Sequence, residues 1–264
     1  PSLPEVVNAS QSICPGDQTS PIAFVDKLGS TINWSVNQVG AGIAQRGVGS
    51  VPSFKALNAG TTPLSLGFVV TPELNGCVGP SATLATITIN TPVISQIDTY
   101  PAYACPDGTV GPFKVDKSTG GDFYSYNYSW QVSKDSSNYS PIVNSNGSRL
   151  IAPPQSNTAW YRVVTESGGC RAISPAVRVT LRDKPKVKIS LATTTATIGV
   201  GNSIQVFAGG AESYEWTPKV DVSNPFVSNP FLSPKQTSAF TVKGTDLFGC
   251  TAEDVITVNV DQNY

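Results

Sequence analysis

Residues 75–77 read Asn-Gly-Cys, residues 168–170 Gly-Gly-Cys and residues 248–250 Phe-Gly-Cys. Each trio lies just ahead of a run with alternating apolar and polar residues: ATLATITI at 82–89, AVRVTL at 176–181 and VITVNV at 255–260. Upstream of each lies a second run, LGFVV at 66–70, WYRVV at 160–164 and FTVKG at 240–244. Two runs of this kind around a glycine turn predict a β-hairpin. One tryptophan precedes each hairpin in a strand-like context, Trp34 in TINWSV, Trp130 in YNYSWQV and Trp216 in SYEWTP. The spacings from tryptophan to the later cysteine are 43, 40 and 34 residues (77−34, 170−130, 250−216), so the frame recurs while one loop changes length.

The opening of each copy matches as well: Ile13-Cys14-Pro15-Gly16, Ala104-Cys105-Pro106-Asp107 and Ile198-Gly199-Val200-Gly201, with Gly199 where the first two copies carry cysteine. Internal repetition of this kind decides an architecture. The expected domains are 1–92, 93–183 and 184–264, joined through short proline-containing segments at 90–92 and 182–185. Proline stiffens such joins. A repeat of this size with a tryptophan on a middle strand and a closing hairpin predicts an all-β chain of three tandem Ig-like sandwiches.

Composition narrows the function classes. The 264 residues carry 13% charged side chains and a net charge of −1, which argues against nucleic-acid binding because no concentrated positive field is present. Histidine is absent, so the commonest general base and metal ligand are missing. No enzyme activity, cofactor or metal is expected. No apolar run approaches the length of a membrane span. Methionine is absent even at position 1, which makes a processed or excised piece of a longer protein the expected origin. Five cysteines in a chain of low charge fit an oxidising compartment, with one thiol left over.

The third copy, IGVGNSIQVFAGG, SYEWTP and TSAFTVKGTDLFGCTAEDVITVNV, resembles the Ig-like/PKD-like repeats of Bacteroidota surface proteins exported by the type IX secretion system, among them gliding-motility adhesins of the SprB type. The first two copies resemble cysteine-bearing versions of the same repeat. The resemblance implies a bacterial cell-surface location and a stalk or adhesive role. The partners it implies are surface polysaccharide or an abiotic substratum, neighbouring repeats, and type IX secretion or outer-membrane anchoring proteins. A carbohydrate-binding accessory region of a secreted glycan-degrading enzyme is the first alternative, and a docking segment for an outer-membrane secretion partner the second.

Two cysteine pairings are open. Pairing within copies joins Cys14 to Cys77 and Cys105 to Cys170, leaving Cys250. Pairing between copies joins Cys14 to Cys170 and Cys105 to Cys250, leaving Cys77 for an upstream domain. The opening turn and the closing hairpin lie at opposite ends of a sandwich, roughly 20 Å apart for a strand of about six residues, whereas a disulfide needs Cα atoms within about 7 Å. That distance favours pairing between copies.

Two aromatic clusters are candidate contact sites. In Phe123–Trp130 (FYSYNYSW), strand alternation sets Tyr124, Tyr126 and Tyr128 on the face of Trp130, as core packing or as a strand-end platform for flat ligands. In the near-duplicate SNPF motifs, Phe226 and Phe231 follow turn-forming Asn-Pro pairs and either cap a sandwich edge or point outward as a loop contact. Asp246, Glu253 and Asp254 form a loose acidic group without the ligand spacing of a calcium loop.

Overall fold

A computed structural model describes residues 1–190 and 195–262, and every regular element among the described residues is a strand. The first repeat contains β1 (Glu5–Val7), β2 (Ser10–Ile13), β3 (Ala23–Val25), β4 (Thr31–Val36), β5 (Arg46–Val48), β6 (Leu64–Leu74), β7 (Cys77–Val78) and β8 (Ala82–Ile89). The middle of the chain forms β9 (Thr91–Ile94), β10 (Tyr103–Ala104), β11 (Val110–Lys114), β12 (Thr119–Gly121), β13 (Asn127–Ser133), β14 (Ser140–Pro141), β15 (Arg149–Ala152), β16 (Ala159–Ser167), β17 (Cys170–Ile173) and β18 (Val177–Leu181). The last repeat contains β19 (Lys188–Ile189), β20 (Thr195–Gly199), β21 (Ile204–Gln205), β22 (Ala208–Gly209), β23 (Ser213–Thr217), β24 (Phe231–Leu232), β25 (Ser238–Thr245) and β26 (Thr251–Asp261).

These strands gather into two compact units. The first holds Pro1–Thr99, Phe113–Leu150 and Tyr161–Val177, and the second holds Tyr100–Pro112, Ile151–Trp160 and Arg178–Tyr264. The units therefore cut across the middle repeat, whose two ends each carry a cysteine bonded to a neighbouring repeat.

In the first unit one sheet runs β2-β8-β6-β4-β5, with β7 on β6. Alternation builds it: Ile32, Trp34 and Val36 of β4 and Leu66, Phe68 and Val70 of β6 face inward, and the residues between them face out. Opposite them lie Ile22, Val51, Phe54 and Ala56, so two layers close around one apolar core. Trp34 meets Phe68 edge-on at 6.0 Å. The middle repeat has its own aromatic nucleus in this unit, with Phe113 5.8 Å from Trp130 and 4.5 Å from Tyr161.

In the second unit the sheet β20-β26-β25-β23 faces the pairs β19-β22 and β21-β24. Val206, Trp216, Leu232, Phe240, Val242, Ile256 and Val258 fill the space between them.

One topological signature occurs three times. The short strand that opens each repeat pairs in parallel with the strand that closes it: β2 with β8, β10 with β18 and β20 with β26. Each opening strand ends in the same tight turn, closed by Asp17 N–H on Cys14 O, Gly108 N–H on Cys105 O and Asn202 N–H on Gly199 O. With antiparallel hairpins on the other side of the closing strand, these are tandem Ig-like β-sandwiches.

Two glycines secure the strand that leads into a repeat. Gly120 (φ 87°) and Gly210 (φ 90°) each lie before a tryptophan strand, and a Cβ there would stand 1.9 Å from Pro92 O and 2.0 Å from Lys186 O. Only a residue without a Cβ lets the backbone turn left-handed while the leading strand crosses this close.

Candidate functional site

The cysteines lie at the ends of the repeats. In the first repeat Ile13 stands beside Ile89, which pairs with Leu64, whereas Cys77 pairs with Leu74 at the far end of β6. Ten residue steps separate Leu64 from Leu74, roughly 33 Å of strand, so Cys14 and Cys77 cannot meet. The third repeat repeats this geometry: Gly199 pairs with Asp261, and Cys250 directly precedes Thr251 at the opposite end of β26. The structure bonds Cys14 to Cys170 and Cys105 to Cys250, with Cα separations of 5.4 and 5.3 Å. Each bond joins the opening turn of one repeat to the closing hairpin of the next. Cys77 is exposed with a free thiol.

Polar contacts reinforce both joints. Around Cys14–Cys170, Asn90 Nδ2 donates to Gly168 O (2.8 Å) and Ser12 Oγ (3.2 Å). Beside it Ser95 Oγ and Thr165 Oγ1 share a buried hydrogen bond of 2.7 Å. Around Cys105–Cys250, the Arg182 guanidinium lies 4.3 Å from the Tyr103 ring and 4.0 Å from the Phe248 ring, which are themselves 4.9 Å apart. Lys184 pairs with Asp107 at 2.6 Å. A cation resting against two contacting rings, partly withdrawn from water, contributes about 1–2 kcal/mol.

The tyrosine run differs from strand alternation. The strand begins only at Asn127, and 122–126 form a turn organised by Asp122, whose Oδ1 accepts from Tyr124 N–H (3.0 Å), Ser125 N–H (3.3 Å) and Ser167 Oγ (2.8 Å). These donors, the Tyr124 amide foremost, hold the Asp122 carboxyl below its ordinary range. Tyr124 consequently stands 94% exposed on the turn and does not share the face of Trp130. Tyr126 and Tyr128 use their hydroxyls locally, on Gly120 O (2.9 Å) and Ser118 Oγ (3.2 Å). Asp122 thus turns the chain before the strand can extend to Tyr124. Phe226 and Phe231 are both exposed, with the Lys219 ammonium 4.8 Å from the Phe226 ring. Asp246 and Asp254 serve the backbone: Asp246 Oδ1 accepts from Phe248 and Cys250 N–H, and Asp254 Oδ2 from Ile189 N–H.

Beside the first joint runs a groove of 450 Å³, with Ala59, Thr61, Ile94, Thr119 and Phe123 on its walls. Asn58 fixes one wall, donating from Nδ2 to Thr62, Ile89 and Asn90 carbonyls and accepting from Gly60 N–H. Asp122 fixes the other. Of its lining, only Phe123 belongs to the aromatic run conspicuous in the sequence, and the one other local signal is the Gly120-Gly121-Asp122 turn just ahead of the tryptophan strand.

The profile of a family described as "Domain of unknown function (DUF8696)" matches residues 99–183, about a third of the chain. No curated protein matches the sequence significantly. Among solved structures, a three-Ig fragment of titin (domains I67–I69, an E-to-A variant) is 10% identical, with 96% of this chain and 95% of that one covered at a TM-score of 0.43. The N-terminal eight Ig domains of Down syndrome cell adhesion molecule are 15% identical, with 98% and 36% covered at a TM-score of 0.44. Sidekick-1 immunoglobulin domains 1–5 are 12% identical, with 99% and 59% covered at a TM-score of 0.39.

Proposed function

We propose that this chain is a non-enzymatic, disulfide-stiffened stalk segment of a large bacterial cell-surface adhesin, acting in surface adhesion or gliding motility. The observation that carries the reading is the repeated bond from an opening turn to the next closing hairpin, which ties consecutive sandwiches where a pulled chain would otherwise give way. Disulfides persist in oxidising, extracellular settings, and the resemblance to repeats exported by the type IX secretion system supplies the bacterial surface. Neighbouring repeats, a polysaccharide or abiotic substratum, and outer-membrane anchoring proteins are its partners in this reading.

The test is attachment under flow. When the parent protein carries serine in place of Cys14, Cys105, Cys170 and Cys250, surface display is expected to persist while shear-resistant attachment is mostly lost. Attachment unchanged at equal display would overturn the stalk reading.

Cys77 occupies the closing-hairpin position that Cys170 and Cys250 occupy in later repeats, and in this reading its partner is a cysteine in the opening turn of an upstream repeat. In protein isolated from its native surface without reductant, the Cys77 peptide is expected as a mixed cystine with a peptide of Cys-Pro type. A Cys77 that alkylates freely there would contradict the assignment.

A further inference from the structure

We propose that the groove beside the first joint binds neutral pyranose residues of a polysaccharide, with Phe123 as the stacking platform. The decisive observation is backbone conformation. Seven non-glycine residues among those described have positive φ: Asn8, Asn75, Asp107, Asn144 and Asp221, together with Ser136 and Phe123. The first five are the residue types that tolerate this region, and serine is small; a bulky aromatic there is an outlier. Phe123 (φ 65°) adopts it, is 45% exposed and lines the groove. A ring that merely filled space would not need a disfavoured backbone and an open face, and such strain collects where a side chain must be presented.

The rest of the groove fits the same ligand. Its volume of 450 Å³ lies within the range of small-ligand sites. No charged side chain lines it, and the nearby Asp122 carboxylate is engaged with its own turn, which selects an uncharged partner. Ile94 and Phe123 offer apolar surface, and the hydroxyl-bearing Thr61 and Thr119 also line the groove. Thr91, also lining it, is buried with Oγ1 lacking a hydrogen-bond partner. Flat apolar surface with a few hydroxyls suits the face and edge of a sugar ring, which presents C–H groups to an aromatic and hydroxyls around its rim. Asn58 and Asp122 hold both walls before any ligand arrives, which lowers the ordering cost of binding.

The site rests on the cell-surface reading only for the availability of polysaccharide, so its failure would leave the stalk untouched, and the reverse. The test titrates neutral gluco-, manno-, xylo- and galacto-oligosaccharides into the intact chain while amide chemical shifts are followed. At least one series is expected to shift Ile94, Thr119 and Phe123 amides. Phe123→Gly, which suits the positive φ, should keep or raise the melting temperature and weaken binding about tenfold. Ala59→Arg, an exposed change that fills the groove, should do the same to binding. Overturning results are groove amides unmoved by every series, affinity unchanged in Phe123→Gly, a melting temperature that falls in Phe123→Gly, or occupation by an apolar peptide in place of all the saccharides.

Discussion

Pulled from its two ends, the oxidised chain is expected to stop lengthening at about 320 Å, whereas the fully reduced chain reaches about 900 Å. The limit follows from connectivity alone. With Cys14 bonded to Cys170 and Cys105 to Cys250, the shortest covalent path takes 13 peptide steps to Cys14, 65 between Cys170 and Cys105 and 14 beyond Cys250, 92 of the 263 available. The two loops interleave, so each bond limits extension when the other is lost. Removing Cys105–Cys250 lengthens the path only to 107 steps (13 and 94), and removing Cys14–Cys170 only to 118 (104 and 14). Bonds closed within repeats would instead give 135 steps (13, 28 and 94). Single-molecule stretching of the wild type and the two double-serine variants separates these values, and a limit near 135 steps in oxidised protein would refute the interleaved topology.

Trp216→Ala is expected to lower the melting transition of the third repeat by about 15 °C or more. The indole is fully buried among Val206, Leu232, Phe240 and Val258, and its Nε1 donates to Val227 O at 2.9 Å. Truncating a buried tryptophan costs about 3–5 kcal/mol, a large share of the roughly 5–15 kcal/mol that holds a domain together. The phenylalanine variants give a sharper comparison. Trp216→Phe leaves the Val227 carbonyl without its donor, whereas Trp34 Nε1 is buried without a partner, so Trp34→Phe removes an unsatisfied group. Trp34→Phe should therefore be the milder change. Calorimetry of the variants checks both statements, and equal losses at the two positions would show that packing alone decides.

The local chemistry of the sandwiches is legible in the amino acids. β4, β6, β8, β25 and β26 fall on the alternating runs around Trp34, the Gly-Cys turns and their flanks, because a strand with one buried face must place apolar residues at every second position. The same rule misleads at Phe123–Trp130. Alternation continues back through Tyr126 to Tyr124, but Asp122 captures the amides of Tyr124 and Ser125 and turns the chain, and a period-two pattern carries no sign of that competing hydrogen bond. The Gly-Gly pairs at 120–121 and 209–210 were equally visible in the sequence, yet their reason lies in carbonyls some 28 and 24 residues earlier, at Pro92 and Lys186.

By itself the sequence determined the repeat frame, the strand class, the inward-facing tryptophans and the ends at which the cysteines lie, since all of these follow from local periodicity and turn chemistry. Tertiary structure alone decided what residues distant along the chain do together. It set Asn90 on Gly168 and Arg182 against the Tyr103 and Phe248 rings, and it brought Ala59, Ile94 and Phe123 to one groove. Such contacts depend on how finished sheets and turns come to rest against one another, and no local pattern in the chain encodes that.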